Sequence, residues 1–205
     1  MATNMKKRNG SDFDHQLITA FKSGSKDAME KIVEKYENGI FNFGLKMCGQ
    51  LQDAEDVTQE TFMSAFRYLD GFREETKLKN WLFKIAARAC LRKRRKKKCE
   101  PNHEISLESL MHGDGAASYE IPDLSNDPSG NLLQAELKNA IETAIRALPT
   151  KYRLVFNLRD LEGFSTDETA ELLDISAQSV KTRLHRARLF LRDKIALYYR
   201  EAKTS

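Results

Sequence analysis

An all-α fold, with two small helical domains joined by a flexible acidic linker, is predicted by three features of the chain. Apolar residues recur at helical spacing in both outer portions, with almost no β-branched alternation of the kind strands need. Charge is partitioned: residues 1–98 carry 21 basic and 13 acidic side chains, residues 99–131 carry seven acidic and no basic ones, and residues 132–205 carry 13 basic and 10 acidic. The acidic stretch also holds three of the four prolines, Pro101, Pro122 and Pro128, and its apolar residues keep no period. The domains expected are therefore 1–98, a linker over 99–131, and 132–205. Fully extended, that linker reaches roughly 110 Å at ~3.3 Å per residue.

Composition narrows the function classes. At 205 residues, 40% hydrophobic and 31% charged, the chain is globular. No apolar run approaches the ~18 residues that span a bilayer, so membrane insertion is not expected. Lys6, Lys7 and Arg8 are followed by no apolar stretch, so Met1–Asp14 is not read as a secretory signal. Three scattered cysteines, Cys48, Cys90 and Cys99, make no disulfide framework and suit a reducing, cytoplasmic location.

In the first domain Ser25 is placed as an N-cap, with Asp27 in the favourable first turn. Ala28, Met29, Ile32, Val33, Tyr36 and Ile40 then form a stripe, and Gly44 and Gly49 bracket the helix end. A second helix begins near Asp53 and runs to Asp70-Gly71, its apolar face carrying Val57, Thr61, Phe62, Ala65, Phe66 and Leu69. A third covers Asn80 to about Lys98, with Trp81, Leu82, Ile85, Ala86 and Ala89 as its core face.

Two features here carry chemistry. Asp53, Asp56 and Glu60 share one face of the second helix. They could complement the helix dipole, form part of a magnesium-dependent nuclease site, or dock a basic partner. The run Arg92-Lys93-Arg94-Arg95-Lys96-Lys97-Lys98 exceeds what a helix C-terminus needs and reads as a phosphate-binding patch.

In the last domain Leu132 to Leu148 is amphipathic and stops before Pro149. Thr150 is placed as the cap of a further helix ending near Gly163. Ser165 with Glu168 is a capping box opening a short helix. Asp174-Ile175-Ser176 forms a tight turn in which Asp174 must be left-handed, and a final helix starts at about Ala177. Two short helices around a three-residue turn define a helix-turn-helix. With Val180, Leu184, Ala187 and Leu191 inward, Gln178, Lys181, Thr182, His185 and Arg186 face outward, where they can donate to base edges or phosphates.

The segments Leu148-Pro149 to Arg159, Glu162 to Ser176 and Val180 to Arg188 together resemble region 4 of the extracytoplasmic-function (ECF) sigma factors of the sigma-70 family. Asp53-Ala54-Glu55-Asp56-Val57-Thr58-Gln59-Glu60-Thr61-Phe62 resembles their region 2.2, and Trp81 to Ala86 their region 2.3 to 2.4 helix. The resemblance covers residues 14–98 and 132–198 in family order. It implies a non-catalytic initiation subunit that binds bacterial core RNA polymerase, at the β′ clamp coiled coil and the β flap, and promoter DNA, both duplex and single-stranded. An anti-sigma factor is an implied further partner.

Among residues, it implies polymerase docking by Asp53, Asp56, Gln59 and Glu60. The minus-ten element would meet Lys79, Asn80, Lys84, Arg88, Arg92 and Arg95, together with the loop Glu74–Asn80, and the minus-thirty-five element Gln178, Lys181, Thr182, Arg183, His185 and Arg186. Family members commonly carry Asn where this chain has Arg88, and Arg cannot accept a hydrogen bond as Asn can. Trp81 and Phe83 are candidates for stacking on opened bases. Cys99 and His103, near Cys90, offer three zinc ligands where structural zinc takes four, so no cofactor or metal is expected. The alternatives are an autonomous helix-turn-helix regulator, which would bind duplex as a dimer, and the nuclease.

Overall fold

The structure, a computed structural model, describes residues 2–98 and 130–202, with side chains described over 12–95 and 136–198. Among the described residues there are eight α-helices, α1 (Ala2–Lys22), α2 (Lys26–Cys48), α3 (Leu51–Tyr68), α4 (Leu78–Lys98), α5 (Gly130–Ala147), α6 (Thr150–Phe156), α7 (Thr166–Leu173) and α8 (Ala177–Ala202). A 3₁₀ turn, Leu69–Gly71, follows α3, and a π-helical stretch, Asn157–Leu161, extends α6. No strand occurs among the described residues. None of their helices is long and apolar enough to cross a membrane. Two compact units divide the chain, residues 1–100 with 170–174, and residues 101–169 with 175–205. Most of the acidic stretch, with Cys99 and His103, lies outside the described residues.

The first unit is built on α2, whose Ile32, Ile40, Phe43 and Met47 are fully buried. From α3 it receives Ala54 and Val57, and from α4 Leu82, Phe83 and Ala86. Phe43 and Phe83 meet edge to face at 5.5 Å, a geometry that contributes ~0.5–1.5 kcal/mol beyond buried area. Helix α1 was not anticipated: its start is polar, and among its described side chains only Leu17 and Ile18 are buried, too short a pattern to stand out.

Several local expectations are corrected. Ser25 occupies the N-cap of α2, but its hydroxyl makes no capping bond. Its N–H instead bonds the Ala20 carbonyl at 3.0 Å, so the residue closes α1 as much as it opens α2. Gly49 does end α2, left-handed at φ 79°, as glycine allows. Gly44 does not bracket the end; it lies inside the helix, where a Cβ would stand 3.3 Å from the Ala54 Cα, so it sets how closely α2 and α3 approach. Phe66, assigned to the core face, is 59% exposed. Pro149, not Thr150, is the N-cap of α6, and no side chain caps that end.

In the second unit Ala144 and Ile145 of α5, Leu148 just beyond its end, Tyr152 of α6, and Ala187, Phe190 and Leu191 of α8 form one core cluster. The buried Arg153 donates through Nε and Nη2 to the Leu148 carbonyl, at 3.2 and 2.9 Å, and through Nη2 to the Arg146 carbonyl. Those carbonyls close α5, so a guanidinium supplies the partners the helix lacks at its own end.

Candidate functional site

Helices α3 and α4 bring the acidic face and the basic run into contact. Asp53 is buried, and its Oδ1 accepts from Lys93 Nζ at 3.0 Å. Lys93 also donates to Asp56, while Arg92 donates to Glu60. The Lys93 hydrogen bond holds the Asp56 carboxyl below its ordinary range. Burial pulls Lys93 down, but its bonds to Asp56 and Asp53 outweigh this and keep the ammonium above its usual value. Gln59 is exposed on the same helix, whereas Asp56 and Glu60 are half-buried rather than fully exposed.

This geometry bears on two sequence readings. A divalent cation between Asp53 and Asp56 would have to displace the Lys93 ammonium that already joins them. Among the described residues no group of three or more His, Cys, Asp or Glu converges to hold a metal. The basic run is also not a uniform patch. Arg92 and Lys93 are engaged with α3, and Arg94 donates to the Met47 carbonyl at 3.2 Å, at the last turn of α2. Arg95 is exposed.

Beside Gln59, α3 carries a feature the sequence reading missed. Met63 and Phe66 are about half exposed and, with Met29, Gln59, Phe62 and Arg67, line a groove of about 340 Å³. The signal was available, since Met63 and Phe66 sit at i, i+3, but a helical stripe is first read as core.

Ahead of α4 the chain is pinned at both edges. Lys22 Nζ donates to the Phe72 carbonyl at 2.6 Å, and the Phe72 ring packs on Trp81 with centroids 5.0 Å apart. His15 Nδ1 and Glu74 Oε2 are 2.7 Å apart, and Glu74 is left-handed at φ 58°. Of the residues assigned to strand holding, Arg88, Arg92 and Arg95 are exposed, and Lys79 and Lys84 are half-buried. Lys79 lies 5.3 Å above the Phe83 ring. Asn80 is buried, which removes it from the surface, and Phe83 is a core residue rather than a stacking platform. Trp81 is half-buried.

The helix-turn-helix follows its sequence closely. The Glu168 N–H donates to Ser165 Oγ at 3.1 Å and the Ser165 N–H to Glu168 Oε2 at 2.9 Å, a complete capping box. Asp174 takes φ 54° in the turn. Ser176 Oγ accepts the Ser179 N–H at 3.1 Å and opens α8, a cap the sequence reading did not assign. Val180, Leu184, Ala187 and Leu191 are buried. Gln178, Lys181, Thr182, His185 and Arg186 are exposed on the other face, with Arg183 half-buried at its edge. Two are partly held: the Thr182 hydroxyl donates to the Gln178 carbonyl at 3.0 Å, and Arg186 reaches the Tyr152 hydroxyl at 3.4 Å. Arg188 makes a bidentate pair with Asp160, at 2.7 and 2.9 Å, tying α8 to the π-helical stretch.

A helix backed by buried apolar residues and presenting hydrogen-bond donors after a tight turn is the arrangement of a helix-turn-helix. Residues 138–191 match the family described as Sigma-70, region 4, and residues 32–99 match Sigma-70 region 2. The chain is 34% identical over 179 residues to the ECF RNA polymerase sigma factor SigW of Bacillus subtilis (strain 168), covering 87% of this chain and 94% of that protein. It is 29% identical over 185 residues to the ECF RNA polymerase sigma-E factor of Haemophilus influenzae (strain ATCC 51907 / DSM 11121 / KW20 / Rd), covering 89% and 95%. The chain belongs to the ECF sigma factors of the sigma-70 family.

Solved structures share the fold. CnrH, in complex with the cytosolic domain of CnrY, superposes with a TM-score of 0.64 at 22% identity, covering 91% of this chain and 99% of that one. The sigma factor RpoE from Bartonella quintana, in complex with the anti-sigma factor NepR, gives a TM-score of 0.61 at 22% identity, covering 84% and 98%.

Proposed function

We propose that this chain is a dissociable, non-catalytic initiation subunit that binds bacterial core RNA polymerase in the cytoplasm, directs it to specific promoters and supports strand opening. The observation that carries the reading is the α8 face. Gln178, Lys181, Thr182, His185 and Arg186 lie outward together while Val180, Leu184 and Ala187 anchor the opposite side. In this reading residues 132–205 recognise the minus-thirty-five element through that face, with Arg183 at its edge, and contact the β flap. Residues 1–98 dock on the β′ clamp through Asp56, Gln59 and Glu60, the groove at Met63 and Phe66 adding apolar contact. Asp53 acts from beneath, holding Lys93 in place.

The opened minus-ten strand would pass the chain ahead of α4 and the Lys79, Lys84, Arg88 and Arg95 side chains, with the buried Asn80 shaping the helix start and Arg92 engaged by Glu60 instead. Residues 99–131 join the two domains. An anti-sigma factor is proposed as the regulatory partner, in line with the partners seen on CnrH and RpoE.

The test is reconstitution of the purified chain with core polymerase on a genomic fragment library. Specific transcripts should appear only with both proteins present. Asp56→Asn with Glu60→Gln should weaken the complex with core at unchanged helicity, and Lys181→Ala with Arg186→Ala should cost promoter selectivity while sparing that complex. No complex with core, together with salt-sensitive binding of duplex by the chain alone, would replace this reading with an autonomous regulator.

A further inference from the structure

Helix α1 is fastened to its neighbours and turns a separate face to the chain ahead of α4. Asp14 accepts from Lys35 Nζ at 2.6 Å and from the Tyr36 hydroxyl at 2.7 Å, which ties α1 to α2. Phe21 meets Phe66 of α3 edge to face at 5.7 Å. His15, Ile18 and Lys22 stand at i, i+3 and i+7 on one face of the helix, and of the three only Ile18 is buried. The other two reach far along the chain. Lys22 Nζ donates to the Phe72 carbonyl at 2.6 Å, and His15 Nδ1 donates to Glu74 Oε2 at 2.7 Å, pairs separated by 50 and 59 residues.

The segment they hold, residues 72–77, is neither helix nor strand. Its first N–H donates to the Leu69 carbonyl and its last carbonyl accepts from the Trp81 N–H, each at 3.1 Å. Between those ends Glu74 is left-handed at φ 58°, a conformation that a non-glycine residue keeps only where its surroundings over-determine it. The Phe72 ring packs on Trp81, so a shift of the segment is passed to the first turn of α4.

We propose that, on the reading in which this segment meets the opened minus-ten strand, His15 and Lys22 are positioning residues that set residues 72–77 in the receiving conformation before the strand arrives. Lys22 fixes the point at which the segment leaves the turn after α3. His15 fixes the left-handed residue two positions on. These two holds, roughly 10 Å apart along one helix, set both the place and the direction of the segment. Without them the segment visits other conformations, and the apparent affinity for the strand falls with the fraction that stays competent. Neither side chain has to touch nucleic acid to do this.

The experiment uses the full chain assembled with core polymerase and a labelled single-stranded oligonucleotide carrying the non-template minus-ten sequence of a promoter recovered in the transcript test. His15→Ala with Lys22→Ala should weaken strand binding roughly tenfold while leaving the affinity for core unchanged. The slope of log affinity against log salt should match wild type, because no phosphate contact is lost. His15→Asn, whose amide donates from the place of Nδ1, and Lys22→Arg should each restore binding when they replace the corresponding alanine. In the chain alone, the double variant should open Trp81 to acrylamide quenching, since Phe72 no longer stays on its ring. Unchanged strand binding would overturn the proposal. So would a slope flattened by ~0.7, which would make Lys22 a phosphate contact instead. Failure of the underlying reading looks different: the wild-type complex itself would not hold the strand, and both would fall.

Discussion

Arg153→Leu isolates a single structural device. The guanidinium is buried and satisfies the Arg146 and Leu148 carbonyls at the end of α5. Leucine fills a similar space but donates nothing, leaving two buried acceptors without this partner at ~1–3 kcal/mol each. Part of that loss is offset, because a cation no longer has to be desolvated. The net expectation is ~2–4 kcal/mol from the second unit. For a unit of this size 1 kcal/mol moves the midpoint by ~4–8 °C, so the shift is roughly 10–25 °C. Arg153→Lys should fall between, since an ammonium lacks the planar fork that reaches two carbonyls. The assay is thermal unfolding followed at once by far-ultraviolet dichroism and by fluorescence of Trp81, the chain's one tryptophan, which lies in the first unit. The dichroism should gain an early transition while the Trp81 midpoint holds. A dichroism midpoint within ~2 °C of wild type, or a Trp81 midpoint shifted equally, would refute the assignment.

Other predictions bear on the rest of the chain. Gly39→Ala should raise stability by ~0.5–1 kcal/mol in denaturant melts, because its new Cβ meets only the Phe83 ring at 3.7 Å. Gly44→Val should lower it by ~1–3 kcal/mol, because the backbone of Ala54 cannot move aside as a flexible side chain would. Ser165→Ala should cost ~1 kcal/mol through the capping box, and Glu168→Ala added to it should cost little more, a coupling that a double-mutant cycle reads directly. Asp56 has its folded value lowered by Lys93, so the stability it contributes is complete above the unfolded carboxylate value of ~3.9 and is lost as pH falls through the lower folded value. Acid titration of wild type against Asp56→Asn should therefore converge as pH falls below about 4 and separate above it.

Much of the helix-turn-helix was legible because its signals are local. A serine three residues before a glutamate, and an aspartate where a turn needs positive φ, act through neighbouring backbone and read the same in sequence as in space. The buried set Val180, Leu184, Ala187 and Leu191 follows from helical period alone. The first unit was legible in its helices but not in its charges. Nothing in the spacing of Asp53, Asp56 and Glu60 says that Lys93 and Arg92, some 30 to 40 residues on, will lie against them, since that depends on how α4 crosses α3. Phe66 was misassigned because helical period marks an apolar face without saying whether another helix covers it.

The internal engagement of Arg92, Lys93 and Arg94 also changes what salt should do to nucleic-acid binding. A cation that already neutralises a carboxylate or caps a helix displaces no condensed counterion when a strand arrives. Each true phosphate contact on a single strand steepens the log–log dependence of affinity on salt by ~0.7. Withdrawing three of the seven cations from that count flattens the dependence by about 2. Over its first three residues, the densest run of positive charge in the sequence is therefore a set of internal struts.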